Sequence, residues 1–115
     1  MKLENISGKF SVECEIAKSP WKQAVGLSFS GKRRNMLFPF PFERPWEFWM
    51  FGMFYGLKII FIDNKKRVIE VQEAEPLSLN PMTWKVYAPK KPCKYALEVP
   101  LAYKYKFSSG DKLKW

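Results

Sequence analysis

The chain has no histidine, only two cysteines and no long apolar run. The missing histidine removes every Ser–His and Cys–His catalytic pair and every metal site that relies on imidazole. Cys14 and Cys93 lie far apart and have no cysteine or histidine companions, which excludes a structural zinc site. They read as small, buried, reduced hydrophobes, with a disulfide as the lesser alternative. No stretch approaches the roughly 18 apolar residues that a membrane helix needs. The opening M-K-L-E-N-I-S-G-K-F lacks the apolar core of a signal peptide. The expectation is a cytoplasmic protein with no membrane partner. An enzyme made from these residues would depend on carboxylates, Lys, Tyr or Cys alone. Neither a metal nor an organic cofactor is implied.

Aromatic and basic residues are plentiful. The 115 residues are 47% hydrophobic and 17% aromatic, which is a globular composition and predicts one domain over 1–115. Lys and Arg number 20 against 11 Asp and Glu, a net charge of +9. That excess makes a polyanion such as nucleic acid a candidate partner. The alternative is a Lys-rich solvated surface of the kind thermophile proteins carry.

The densest apolar material runs from Phe48 to Val71 and reads as a central hairpin. Ile59, Ile60, Phe61 and Ile62 form a run suited to a strand buried on both faces. Asp63-Asn64-Lys65-Lys66 is a turn, in which the Asp63 side chain bonds the local backbone. Val68, Ile69 and Val71 resume the strand. Earlier, Lys9 to Ile16 alternates as a half-buried strand. Ser19-Pro20 reads as a helix start, with a short helix from Pro20 to Leu27. Met36 to Phe40 is a short strand, and Pro41 to Pro45 interrupts the ladder. Gln72 to Met82 reads as a loop, and Trp84 to Ala88 and Cys93 to Val99 as strands. In the last of these Tyr95, Leu97 and Val99 share one side, with Lys94, Ala96 and Glu98 on the other. Pro100 to Phe107 suggests one or two helical turns, and Lys112 to Trp115 a final strand. The fold class is α+β, mainly β: a small single-domain sheet or partly closed barrel with one or two short helices.

Five stretches recur in a familiar order: Gly26-Leu27, Met36-Leu37-Phe38, Phe48-Trp49-Met50, Ile59 to Asp63, and Tyr95 to Pro100, with Gly110-Asp111 closing. In this the chain resembles the uncharacterised family called domain of unknown function 192. The resemblance implies a small β-rich fold with a short helix, and no agreed activity. Where relatives carry Lys-Asn-Thr after Trp-Met, then Pro and Asp, this chain has Phe51, Gly52, Met53, Gly56 and Lys58. Where relatives tend to have Gly, this chain has Lys66, so a positive φ is expected there.

Three groups of residues are candidates for function. Glu98 is a carboxylate among apolar neighbours and would need a partner if buried. Glu70, Glu73 and Glu75 crowd one segment, as an acid–base group or as a solvated edge. Tyr103, Lys104 and Tyr105, continuing to Lys106 and Phe107, interleave cations with rings. With Lys32-Arg33-Arg34, Lys65-Lys66-Arg67 and Lys90-Lys91 they could form a stacking surface for single-stranded nucleic acid. Trp21, Trp46, Trp49 and Trp84 fill the core or line a groove. The candidate binding residues are Trp49, Lys58, Glu98, Tyr103, Lys104 and Tyr105. The sequence names no activity. It favours a non-catalytic binding or interaction module of unknown ligand over a nucleic-acid-binding protein or a small carboxylate enzyme.

Overall fold

Side chains alternate across a strand, so a strand that is apolar at every position must be covered on both faces. That requirement sets the layout. In this computed structural model the residues described are 1–17, 35–46, 48–49, 56–74 and 86–115. They form β1 (Lys2–Asn5), β2 (Phe10–Glu13), β3 (Glu15–Ile16), β4 (Met36–Arg44), β5 (Phe48–Trp49), β6 (Leu57–Ile62), β7 (Val68–Ala74), β8 (Val86–Tyr87), β9 (Cys93–Pro100) and β10 (Leu113–Lys114). A five-stranded sheet has the order β3-β4-β9-β6-β7, a three-stranded sheet the order β10-β1-β2, and β5 pairs β8. All pairings are antiparallel except β3 with β4. The described strands do not close into a barrel.

The five-stranded sheet separates two cores. Leu57, Ile59 and Phe61 of β6 join Met36, Phe38 and Ala96 on the first face. Ile60 and Ile62 join Leu37, Leu97 and Val99 on the second, where the three-stranded sheet contributes Leu3, Val12 and Leu113. Each of the Leu, Ile, Val, Phe and Met side chains, once removed from water, contributes on the order of 1.5–3 kcal/mol. The expected two-sided burial of β6 and the expected alternation of β9 are both present.

Several expectations are corrected. Phe48 to Ile62 does not run as one strand: Phe48–Trp49 pairs with β8, while β6 belongs to the large sheet. β7 continues through Gln72 to Ala74, where a loop was expected. β4 runs through both Pro39 and Pro41 to Arg44, but its pairing with β9 shifts register between Pro39 and Arg44. Pro39 is still paired with Tyr95, and the irregularity falls after it, where Pro41 has no N–H to give the ladder although the strand continues to Arg44. Lys9 to Ile16 divides at Cys14, whose N–H donates to the Met1 carbonyl at 2.9 Å, and the chain passes there from one sheet to the other.

No helix occurs among the described residues. Pro100 to Phe107 is not helical: Tyr103 N–H donates to Pro100 O at 2.9 Å in a turn, and residues 104–108 then carry no regular secondary structure. Its Tyr-Lys-Tyr-Lys-Phe alternation has period two, which places Tyr105 and Phe107 together on the second core. The expected helix from Pro20 to Leu27 lies outside the described residues, as do Trp21, Lys32-Arg33-Arg34, Phe51, Gly52, Met53, Glu75 and Trp84. Among the described residues no helix is long and apolar enough to cross a membrane.

Candidate functional site

The β1–β2 turn and the chain after β9 face each other across an open groove. Asn5 ends β1 and is buried, and its side chain serves both walls. Its Oδ1 accepts from Gly8 N–H at 2.8 Å, which closes the turn, and its Nδ2 donates to Asp111 Oδ2 at 2.9 Å. Asp111 Oδ2 also accepts from Ser108 N–H at 2.8 Å. Ser7 Oγ accepts from Lys112 N–H at 3.0 Å. Lys9 turns the chain with a φ of 60°. Gly8 lies so close to Phe10 that an added Cβ would come 2.7 Å from its ring, which calls for glycine there.

Opposite the turn, Lys58 of β6 donates its Nζ to the Tyr105 carbonyl at 3.0 Å and ties the 101–109 segment to the sheet. Phe10 and Tyr105 stack at 5.9 Å with planes 12° apart, and Phe107 meets Phe10 edge-on at 5.1 Å. Tyr103 meets Tyr105 edge-on at 6.3 Å and is 37% exposed. The groove has a volume of about 520 Å³, with Phe10 and Tyr105 as its rings and Lys104, Lys106 and Asp111 as its charged groups.

Four of the six candidate residues thus meet in one place. Tyr105 and Lys104 line the groove, Tyr103 adjoins it, and Lys58 holds it in place rather than facing a ligand. Glu98 is elsewhere. Its register partners are Met36 and Ile59, so it lies on the first face of the large sheet, across from Lys58 and Tyr105. It is 6% exposed, and no described residue donates to it or pairs with it. Burial pushes its carboxyl up to about 8, so the acid is mostly protonated at neutral pH. Trp49 lies on β5 opposite Val86, in the separate two-stranded sheet, and is not among the residues that line the groove.

The acidic group does not assemble as a pair. Glu70 stands opposite Phe61 and Glu73 opposite Lys58, which puts them on different faces of β7. Glu70 Oε1 accepts from Lys90 N–H at 3.0 Å, and its Oε2 accepts from the Gln72 amide. Several cations are likewise engaged internally. Lys66 Nζ donates to Trp115 O at 3.1 Å, Lys94 Nζ donates to Phe40 O, and the Arg44 guanidinium lies 4.8 Å from the Trp46 ring centre. Among the described residues no three His, Cys, Asp or Glu side chains gather as a metal site.

Sequence reasoning found one wall of the groove and missed the other. Ser7, Gly8 and Phe10 are about a hundred positions from Tyr105. The available signal was Asn5 to Gly8, a turn-forming cluster between two apolar segments.

The DUF192 family model, described as Uncharacterized ACR, matches residues 3–115. A UPF0127 protein of Pyrococcus abyssi is 31% identical over 97% of this chain and 93% of its own length. Another, from Pyrococcus horikoshii, is 34% identical over 90% and 87%. Among solved structures, a protein of unknown function from Novosphingobium aromaticivorans superimposes with a TM-score of 0.80 at 25% identity, covering 99% of this chain and 82% of that one. A candidate transcription regulator of Sinorhizobium meliloti gives 0.77 at 23% identity, covering 98% and 89%, and is similar in fold alone. The match over nearly the whole chain and the agreement of the fold establish that this protein belongs to the DUF192, or UPF0127, family, whose function is unknown.

Proposed function

We propose that the protein is a non-catalytic binding module, a single cytoplasmic domain over 1–115, whose ligand sits in the groove between the β1–β2 turn and residues 104–108. One observation carries this reading. Two walls distant in sequence are joined by the Asn5–Asp111 bond, with Lys58 tying one of them to the sheet, and they line one open space with rings and cationic residues. A preformed concave site with a few convergent polar groups is the usual form of a ligand site. Its charged groups are suited to binding rather than to proton transfer. Asp111 already accepts two hydrogen bonds through Oδ2, and the buried acid Glu98 lies across the sheet.

Nucleic-acid binding along the Tyr103–Phe107 segment has less support. The Phe10 and Tyr105 rings face each other, so they do not offer successive free faces for stacked bases. The reading is tested by screening a broad small-molecule library against the labelled protein by heteronuclear NMR. Hits are expected to shift the amides of residues 7–10 and 104–108. Hits confined to the Glu98 face, or no hits at all, would remove the proposal.

A further inference from the structure

We infer that the groove takes a nucleoside phosphate, a single flat base carrying an anionic group and ribose hydroxyls; this rests on the groove being the binding site. Its chemistry is of three kinds, and each points to one part of such a ligand. The Phe10 and Tyr105 rings supply apolar π surface for a planar heterocycle. Lys104 and Lys106 flank Tyr105, are exposed, and also line the groove, so two cationic residues stand at its edge, which suits a phosphate. Asp111 uses Oδ2 for Asn5 and Ser108, while Oδ1 accepts no hydrogen bond among the described residues. A carboxylate oxygen beside two lysines would repel a bare phosphate, but it accepts from a sugar hydroxyl. Ser7 Oγ is occupied as an acceptor by Lys112 N–H, which leaves its hydroxyl proton to donate.

Size argues for one nucleotide rather than a strand. The volume of about 520 Å³ falls within the roughly 300–1,000 Å³ of small-ligand pockets. The two rings are already stacked on each other, and Phe107 and Tyr103 meet them edge-on, so a base would lie against the outside of this cluster rather than between its rings. The wall opposite the lysines is fixed. The Asn5 bonds hold the turn, and Gly8 leaves no room for a side chain over Phe10.

The test is a titration of the full-length labelled protein with 5′-AMP, adenosine, ribose 5-phosphate and a 15-residue oligothymidylate, read by amide shifts and calorimetry. Saturable shifts at residues 7–10 and 104–108 with 5′-AMP are expected. Adenosine and ribose 5-phosphate should each bind about tenfold more weakly, since one loses the charge and the other the stacked base. The double change Lys104→Ala and Lys106→Ala, on exposed positions, should weaken 5′-AMP about tenfold while leaving adenosine unchanged. Equal binding of ribose 5-phosphate and 5′-AMP would overturn the nucleoside phosphate. So would indifference to the lysine changes, or preference for the oligonucleotide with a steep salt dependence. In the first two cases the groove would still bind, and the broader reading would stand; the third would favour the nucleic-acid reading over it. No groove shift with any of these probes, alongside library compounds that do shift it, would likewise overturn only the nucleotide.

Discussion

At the scale of single residues, Lys66 shows a local cost offset by a distant contact. The Asp63 turn needs a left-handed residue: Asp63 Oδ1 accepts from Lys65 and Arg67 N–H at 2.9 Å each, and Lys66 carries a φ of 61°. Holding a non-glycine residue there costs roughly 1 kcal/mol. The sequence predicts that much, and alone it would make Lys66→Gly stabilising. The side chain changes the balance. Its ammonium lies 4.4 Å from the centre of the Trp115 ring and donates to the Trp115 carbonyl. A cation–π contact at such a site contributes about 0.5–1 kcal/mol and the hydrogen bond about 1 kcal/mol. Lys66→Gly is therefore expected to lie within about 1 kcal/mol of the native protein in denaturant unfolding. In a Trp115→Ala background the substitution should become more favourable by about 0.5–1 kcal/mol. The absence of that coupling would show that the ring contact contributes nothing.

The two thiols belong to the same scale. Cys14 packs in the core on one face of the large sheet and Cys93 in the core on the other, so the sheet itself keeps them apart and both are free. Burial pushes both thiols up, Cys93 to about 11. The thiolate is the reactive form, so both should be slow toward a thiol reagent in the native protein. Two thiols should then label after denaturation without reductant. Fast labelling of either in the native state would contradict the packing described.

At the scale of elements, β6 carries both cores. Phe61 is fully buried, between Ala96 of β9 and Glu70 of β7. Phe61→Ala should cost roughly 3–5 kcal/mol of unfolding free energy. A loss below about 1 kcal/mol, the size of a surface change, would mean that the strand is not central. β6 and β9 were legible in the sequence because burial dictates their pattern directly. One is apolar at nearly every position, and the other alternates Leu97 and Val99 against Ala96 and Glu98. The elements that were missed or misread are those defined by distant partners. β1 pairs partly with β10, from the far end of the chain, and Phe48–Trp49 is a strand because Val86–Tyr87 lies beside it. Pro100 to Phe107 was read as one or two helical turns, yet its alternating rings Tyr105 and Phe107 pack against Phe10. The candidate site divides in the same way. Tyr103, Lys104 and Tyr105 are visible as a motif, whereas their opposing wall exists only through the Asn5–Asp111 bond across 106 positions.

At the scale of the whole molecule, the missing histidine and the buried Glu98 combine into one observable. Lysine and arginine stay charged well above neutrality, and without histidine no imidazole titrates between pH 5 and 8. The Glu98 carboxyl, by contrast, is raised by burial from 4.5 to about 8. Between those values the unfolded chain releases this proton while the folded chain keeps it. The unfolded state then binds fewer protons, and stability falls as pH rises. The contribution is fully present below about pH 4.5 and is lost by the time pH has passed about 8. One proton of difference corresponds to a slope of about 1.4 kcal/mol per pH unit. Few other side chains obscure that slope, so denaturant unfolding from pH 5 to 8 should reveal it. Glu98→Gln keeps the shape and removes the titration. The variant should show a much flatter profile and gain on the native protein steadily as pH rises, with the largest difference near pH 8. Parallel profiles for the two proteins would mean that Glu98 is ionised in the folded state and holds a counter-charge, which would end its description as an acid without a partner among the described residues.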